Sequence, residues 1–184
     1  PIYHKAQVLY GLDLAKKAIS TQRQIVVVEG YTDVMACHLA GIPTAVATCG
    51  TSFGPDHVRI ARRLLGDGVT GANGIMLASG HAVGGEVIFT FDGDAAGQKA
   101  ALRAYGEDQS FAAQTFVAVS AGGMDPCDVR IQRGDVAVRE LVSTRVPLFE
   151  FAIRSALASV DLATAEGRVS GLAVAAPVVA GIRD

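Results

Sequence analysis

Residues 86–97 read E-V-I-F-T-F-D-G-D-A-A-G, and the change of character within them decides the fold. The run 87–91 is short, apolar, β-branched and aromatic, which predicts a buried strand. Residues 95–104 have helix-forming composition and no proline. Asp92 and Asp94, separated only by Gly93, therefore fall on a strand-to-helix turn. In open α/β sheets ligands bind along that edge, and the following helix offers unpaired N–H groups and a positive dipole end to phosphate. A plainer reading makes Asp94 the N-cap of the helix and Asp92 a solvated turn residue.

The stretch I-V-V-V-E-G-Y-T-D-V at 25–34 repeats the pattern: a buried strand over 25–28 ends in Glu29 and a glycine, before a helix over about 32–40. If the strand order is flavodoxin-like, the first and third strands are neighbours, and Glu29, Asp92 and Asp94 converge. Clustered carboxylates repel one another unless a cation sits among them, and oxygen donors of this kind suit Mg²⁺ or Mn²⁺. Asp33, four residues beyond Glu29, reads from the residues alone as a first-turn acid that favours the helix N-terminus. Strands are also expected over 45–48 and 115–119, the latter followed by A-G-G-M-D-P-C-D, which carries Asp125 and Asp128. Helices are expected over 12–20 and 55–65, and 66–85 reads as a glycine-rich inserted loop. Pro147 opens a further helix with Phe149, Ile153, Leu157 and Val160 as an apolar stripe, and Pro177 interrupts the C-terminal stretch beyond that helix.

E-G-Y-T-D-V from Glu29, together with F-D-G-D-A-A-G from Phe91, resembles the signature of the TOPRIM domain shared by DnaG-type bacterial primases and topoisomerases. The leader V-L-Y-G-L-D-L-A-K-K-A-I, the run A-C-H-L-A-G-I-P-T-A-V-A-T-C-G-T-S and the later D-P-C-D-V-R are similar to the RNA polymerase core of that primase, so the resemblance covers residues 3–151. It implies an α/β, Rossmann-like TOPRIM fold with a mostly parallel four-stranded sheet flanked by helices and followed by a short helical segment. The implied division is a leader at 1–22, the TOPRIM domain at 23–125 and a C-terminal helical segment at 126–184.

The resemblance implies metal-dependent synthesis of RNA primers from ribonucleoside triphosphates on a single-stranded DNA template during replication. It further implies a cytoplasmic, nucleoid-associated setting without a membrane, and a replicative helicase met through a region outside this chain. Glu29, Asp92 and Asp94 would be catalytic. These three with Asp125, Asp33 and Asp128 would hold Mg²⁺ or Mn²⁺, and Lys5, Lys99 and Arg62 would face nucleotide or nucleic acid. The sequence departs from the family pattern at His4, where Tyr-Asn-Lys is usual, and at Cys127, which stands where Asp-Pro-Asp has its second acid. Another TOPRIM enzyme, a topoisomerase or nuclease, would share the acids without the Y-G-L-D-L-A leader. A noncatalytic metal- or nucleotide-binding module is the alternative of a different class.

The 184 residues are half hydrophobic, yet charged or polar residues interrupt the long apolar runs, and no segment reads as the roughly 20 predominantly apolar residues of a membrane helix. Cys37, Cys49 and Cys127 are odd in number and widely spaced, which argues against a disulfide framework or a structural zinc site. The chain opens at Pro1 without a visible secretory signal and reads as a piece of a longer protein. Its net charge of −2 is low for a complete nucleic-acid enzyme, so either the partner is not nucleic acid or basic parts are missing, and the resemblance implies the second, with basic parts of the family's polymerase core preceding this region.

Overall fold

The computed structural model describes residues 7–66, 85–91, 106, 111, 113–120, 122–158 and 160–182. In chain order these form α1 (Leu12–Gln22), β1 (Gln24–Val28), α2 (Tyr31–Leu39), β2 (Ala45–Ala47), α3 (Pro55–Leu65), β3 (Glu86–Phe91), β4 (Gln114–Val119), α4 (Pro126–Ser143), β5 (Val146–Pro147), α5 (Leu148–Ala158) and α6 (Ala165–Ala180). The expected inserted loop lies largely, and the helix expected over 95–104 wholly, outside the described residues.

The sheet runs in the order β2-β1-β3-β4-β5, with the first four strands parallel. β1 and β3 are neighbours, as the flavodoxin-like expectation requires. The register sets Gln24 beside Glu86 and Val27 beside Phe89. Helices lie over both faces of the parallel strands, so both faces of the central strands are dry. Ile25, Val27, Val46, Val87, Phe89 and Val117 pack on one side with α1, α3 and Leu148. Val26, Val28, Ile88 and Ala118 pack on the other with Val34 and Cys37 of α2 and Val129, Val138 and Leu141 of α4. This is why 25–28 is apolar at every position instead of alternating.

Short-range chemistry sets the joints. Pro55 occupies the first turn of α3, and Gly66 closes it at φ 62°. Gly11 enters α1 at φ 80°, and a Cβ there would come within 2.8 Å of the Val34 side chain, so glycine allows α1 to approach α2.

The structure differs from the sequence expectation at β5 and at Pro177, and it adds detail to the helical segment expected from residue 126. The four expected strands gain β5, a two-residue antiparallel pairing with β4. α4 is an 18-residue helix, interrupted at Gly134 (φ 83°, ψ 177°), and that interruption breaks the apolar period between Val129 and Val138. Pro177 lies inside α6. It falls in the last turn, where only three residues follow it and the lost N–H bond disturbs little of the helix.

At the N-terminal edge of the sheet Arg145, just before β5, reaches Glu86 at the start of β3, with Nη2 donating to Oε1 at 2.9 Å and to Oε2 at 2.7 Å. Gln24 of β1 donates Nε2–H to the same carboxylate at 3.2 Å, and the Arg145 guanidinium lies 5.0 Å from the Phe116 ring centroid. Both members of the ion pair are about a quarter exposed, so water screens the pair only partly. Arg145→Ala leaves Glu86 half-buried with Gln24 alone. It is expected to lower the urea-unfolding free energy by about 1–3 kcal/mol, and an unchanged denaturation midpoint would show the clamp to be energetically idle.

Candidate catalytic edge of the sheet

The parallel strands all deliver their C-terminal ends to one edge, where β1 stops at Val28 and β3 at Phe91. Glu29 is the first residue beyond β1, and its side chain is exposed. Its backbone carbonyl accepts the Cys49 N–H at 3.1 Å, which ties the β1–α2 turn to the turn after β2. Cys49 adopts φ 52°, an uncommon value for a residue with a side chain. On the flank of this edge the Tyr10 and Tyr31 rings meet edge to face with centroids 5.9 Å apart.

Asp33 lies in the first turn of α2 and is only 4% exposed. Its Oδ2 accepts the Gly30 N–H at 2.9 Å, closing the helix start, and its Oδ1 accepts the Cys127 N–H of α4 at 3.4 Å. Asp125 is the N-cap of α4, accepting the Asp128 N–H at 2.6 Å. Asp128 is exposed in the first turn of that helix. Two helix N-termini therefore open on the acidic edge, and their dipoles moderate the crowding of carboxylates.

The electrostatics register at the thiols. Burial pushes the Cys127 thiol up, and Asp125, Asp33 and Asp128 push it further, with Arg130 opposing them. Cys37, one turn beyond Asp33 in α2, is pushed up to about 12 by burial and then by Asp33. Asp33, Asp125 and Asp128 thus form one negative region around Cys127, and Glu29 stands on the same edge.

Asp92, Asp94, Lys5 and Lys99 lie outside the described residues, although Asp92 directly follows Phe91 in the sequence. Among the described residues no group of three or more His, Cys, Asp or Glu side chains is placed to hold a metal ion. The donor chemistry nevertheless suits a hard divalent cation, because Asp33, Asp125 and Asp128 gather carboxylate oxygens around Cys127.

Arg62 is not brought to this edge. It sits in the last turn of α3, and that helix ends beside the opposite edge, where a Cβ on Gly66 would touch the Arg23 guanidinium and one on Gly85 would strike the Arg23 carbonyl. Arg59 on the same helix pairs with Asp56. The sequence reading did not include the backbone N–H groups of Gly30 and Cys127, which carry no residue-type signal. His38 bonds the Ala45 carbonyl through Nε2 at 3.0 Å.

A three-layer α/β sheet of this order with an acidic C-terminal edge defines the class. A Toprim domain family model matches residues 23–121, and the chain belongs to the Toprim domain family. Within it, the chain is similar over its whole length to the DNA primase of Streptomyces coelicolor, with 60% identity over 183 residues that make up 26% of that protein. The RNA polymerase domain of the Mycobacterium tuberculosis primase DnaG superposes with a TM-score of 0.80 at 49% identity, covering 99% of this chain and 53% of that one. A DnaG primase catalytic domain solved bound to single-stranded DNA superposes with a TM-score of 0.74 at 31% identity, covering 97% and 51%. The chain thus spans about a quarter of the length of the curated relatives it matches. A model described as the DnaB-helicase binding domain of primase matches residues 149–184, inside the chain, where the sequence reading placed the helicase contact outside it. Among the described residues no helix is long and apolar enough to cross a membrane.

Proposed function

We propose that this chain is the catalytic Toprim part of a DNA primase, which makes RNA primers on single-stranded DNA from ribonucleoside triphosphates. The carrying observation is the strand order, since it brings the ends of β1, β3 and β4, each followed in the sequence by acids, to a single edge. In this reading a primer 3′-hydroxyl attacks the α-phosphate of the incoming nucleotide and pyrophosphate leaves. Asp92, Asp94 and Asp125 would hold Mg²⁺ or Mn²⁺, which when bound supplies neutralising charge at the phosphates and acidifies the attacking hydroxyl. Glu29, exposed at the end of β1, serves either as a further ligand or as the group that takes the hydroxyl proton. The N-termini of α2 and α4 orient their dipoles toward the same phosphates.

The proposed division is a leader at 1–22, the Toprim domain at 23–125 and a helical part at 126–184, of which α4 and β5 pack on the Toprim sheet. The family match at 149–184 supports a replicative helicase as partner, and Val169, Leu172 and Val179 of α6 present exposed apolar surface there. The role is cytoplasmic, at the nucleoid. In a longer protein that contains this segment, Glu29→Gln is expected to lower template-directed dinucleotide synthesis with Mn²⁺ by roughly a hundredfold or more. Full activity in that variant would remove Glu29 from the chemistry. Relaxation of supercoiled plasmid without dinucleotide product would favour the topoisomerase reading.

A further inference from the structure

Asp33 differs from the other acids of the edge. Asp125 is half-buried and Glu29 and Asp128 are exposed, whereas Asp33 is 4% exposed and its two carboxylate oxygens each accept a backbone N–H. One donor, Gly30, directly follows Glu29 in the chain. The other, Cys127, lies between Asp125 and Asp128 and is 94 residues away from Asp33 in sequence. A buried carboxylate is tolerated when N–H donors satisfy it, and here those donors belong to the two turns that carry the accessible acids.

We propose that Asp33 is a positioning residue, a staple that fixes Glu29 relative to Asp125 and keeps both N–H bonds when the edge is loaded with cation, and is not itself a metal ligand. The inference rests on the metal-dependent reading above, and it assigns Asp33 a different task from the exposed acids. At the far end of α2, Arg139 of α4 donates to the Ala40 carbonyl at 2.8 Å. The two helices are therefore clasped at both ends, and loosening the Asp33 end lets the acid-bearing turns separate while the Arg139 end still holds. An asparagine at position 33 keeps one accepting oxygen and turns an NH₂ group toward a second donor, so it satisfies only one of the two amides.

The test uses the full chain and amide hydrogen exchange by NMR, with Mg²⁺ as the probe. In the wild type the Gly30 and Cys127 amides are expected to be protected without metal and to stay protected at saturating Mg²⁺. Asp33→Asn is expected to release at least one of them by tenfold or more, to shift the resonances of Glu29 and Asp125, and to weaken Mg²⁺ binding about three- to tenfold. Glu29→Gln is expected to weaken binding while leaving both amides protected. Loss of protection at both amides when Mg²⁺ binds the wild type would mark Asp33 as a ligand and overturn the proposal. Unchanged exchange in Asp33→Asn would overturn it as well. If the wild type binds no Mg²⁺, the metal-dependent reading of this chain fails, and the staple is decided by metal-free exchange in the wild type and Asp33→Asn. Should Asp33→Asn not fold, wild-type exchange with and without Mg²⁺ decides the question.

Discussion

With Asp92 and Asp94 both replaced by alanine, Mn²⁺ is expected to lose nearly all of its stabilising effect on this fold. A ligand that binds only the native state adds about 2.7 kcal/mol at a concentration one hundred times its Kd, which corresponds to a rise of roughly 5–10 °C in Tm for a chain of this size. The two acids follow β3, the central strand, whose neighbours β1 and β4 lead to Glu29 and to Asp125. Without metal the sign reverses. The double variant is expected to be at least as stable as the wild type, since two like charges leave a crowded negative edge. Calorimetry showing equal Mn²⁺ affinity in the two proteins would remove Asp92 and Asp94 from the metal site.

The second large effect concerns synthesis by this chain alone. Its 16 Lys and Arg residues are outnumbered by 18 Asp and Glu. The helix that carries most promise for phosphate contact, α3, spends Arg59 on Asp56 and sets Arg62 in a last turn at the other edge of the sheet. Electrostatic attraction to a template is therefore weak. Template-directed dinucleotide synthesis is expected to be slower by roughly two orders of magnitude or more than that of a chain extended at its N-terminus, compared at equal concentration and low salt. Comparable turnover would show that the acidic edge and its own helices suffice.

The strands were legible because their physics is local. Residues 25–28 and 87–89 are buried on both faces of a parallel sheet, so an unbroken apolar run announced them, and the acids at their ends announced the edge. α4 falls within the helical segment expected at 126–184, but its extent was not legible, because Gly134 divides it and removes the sustained period by which a helix is bounded. β5 has two residues, too few for any pattern, and one of them is a proline. The Arg145–Glu86 pair joins residues 59 apart, and nothing near either one signals the other. At the site, residue type identified Glu29, Asp33, Asp125 and Asp128 as acids on one edge. It did not indicate that Asp33 is buried and held by backbone N–H groups while Glu29 faces solvent. Exposure depends on which element packs above a residue, here α4, which comes almost a hundred residues later in the chain.

β5 also bears on how the molecule behaves in a crowded solution. An open sheet has two lateral strands with unpaired backbone groups, and these recruit strands from other molecules into aggregates. Here β4 is covered by Val146 and Pro147, and Pro147 has no N–H to offer an incoming strand. β2 is covered at Ala47 by Tyr10, with a hydrogen bond in each direction between their backbones. Both flanks are thus closed by very short segments of the chain's own backbone. Removing the leader through Tyr10 would expose one flank, and the shortened protein would be prone to self-association by strand pairing even if its catalytic edge were intact.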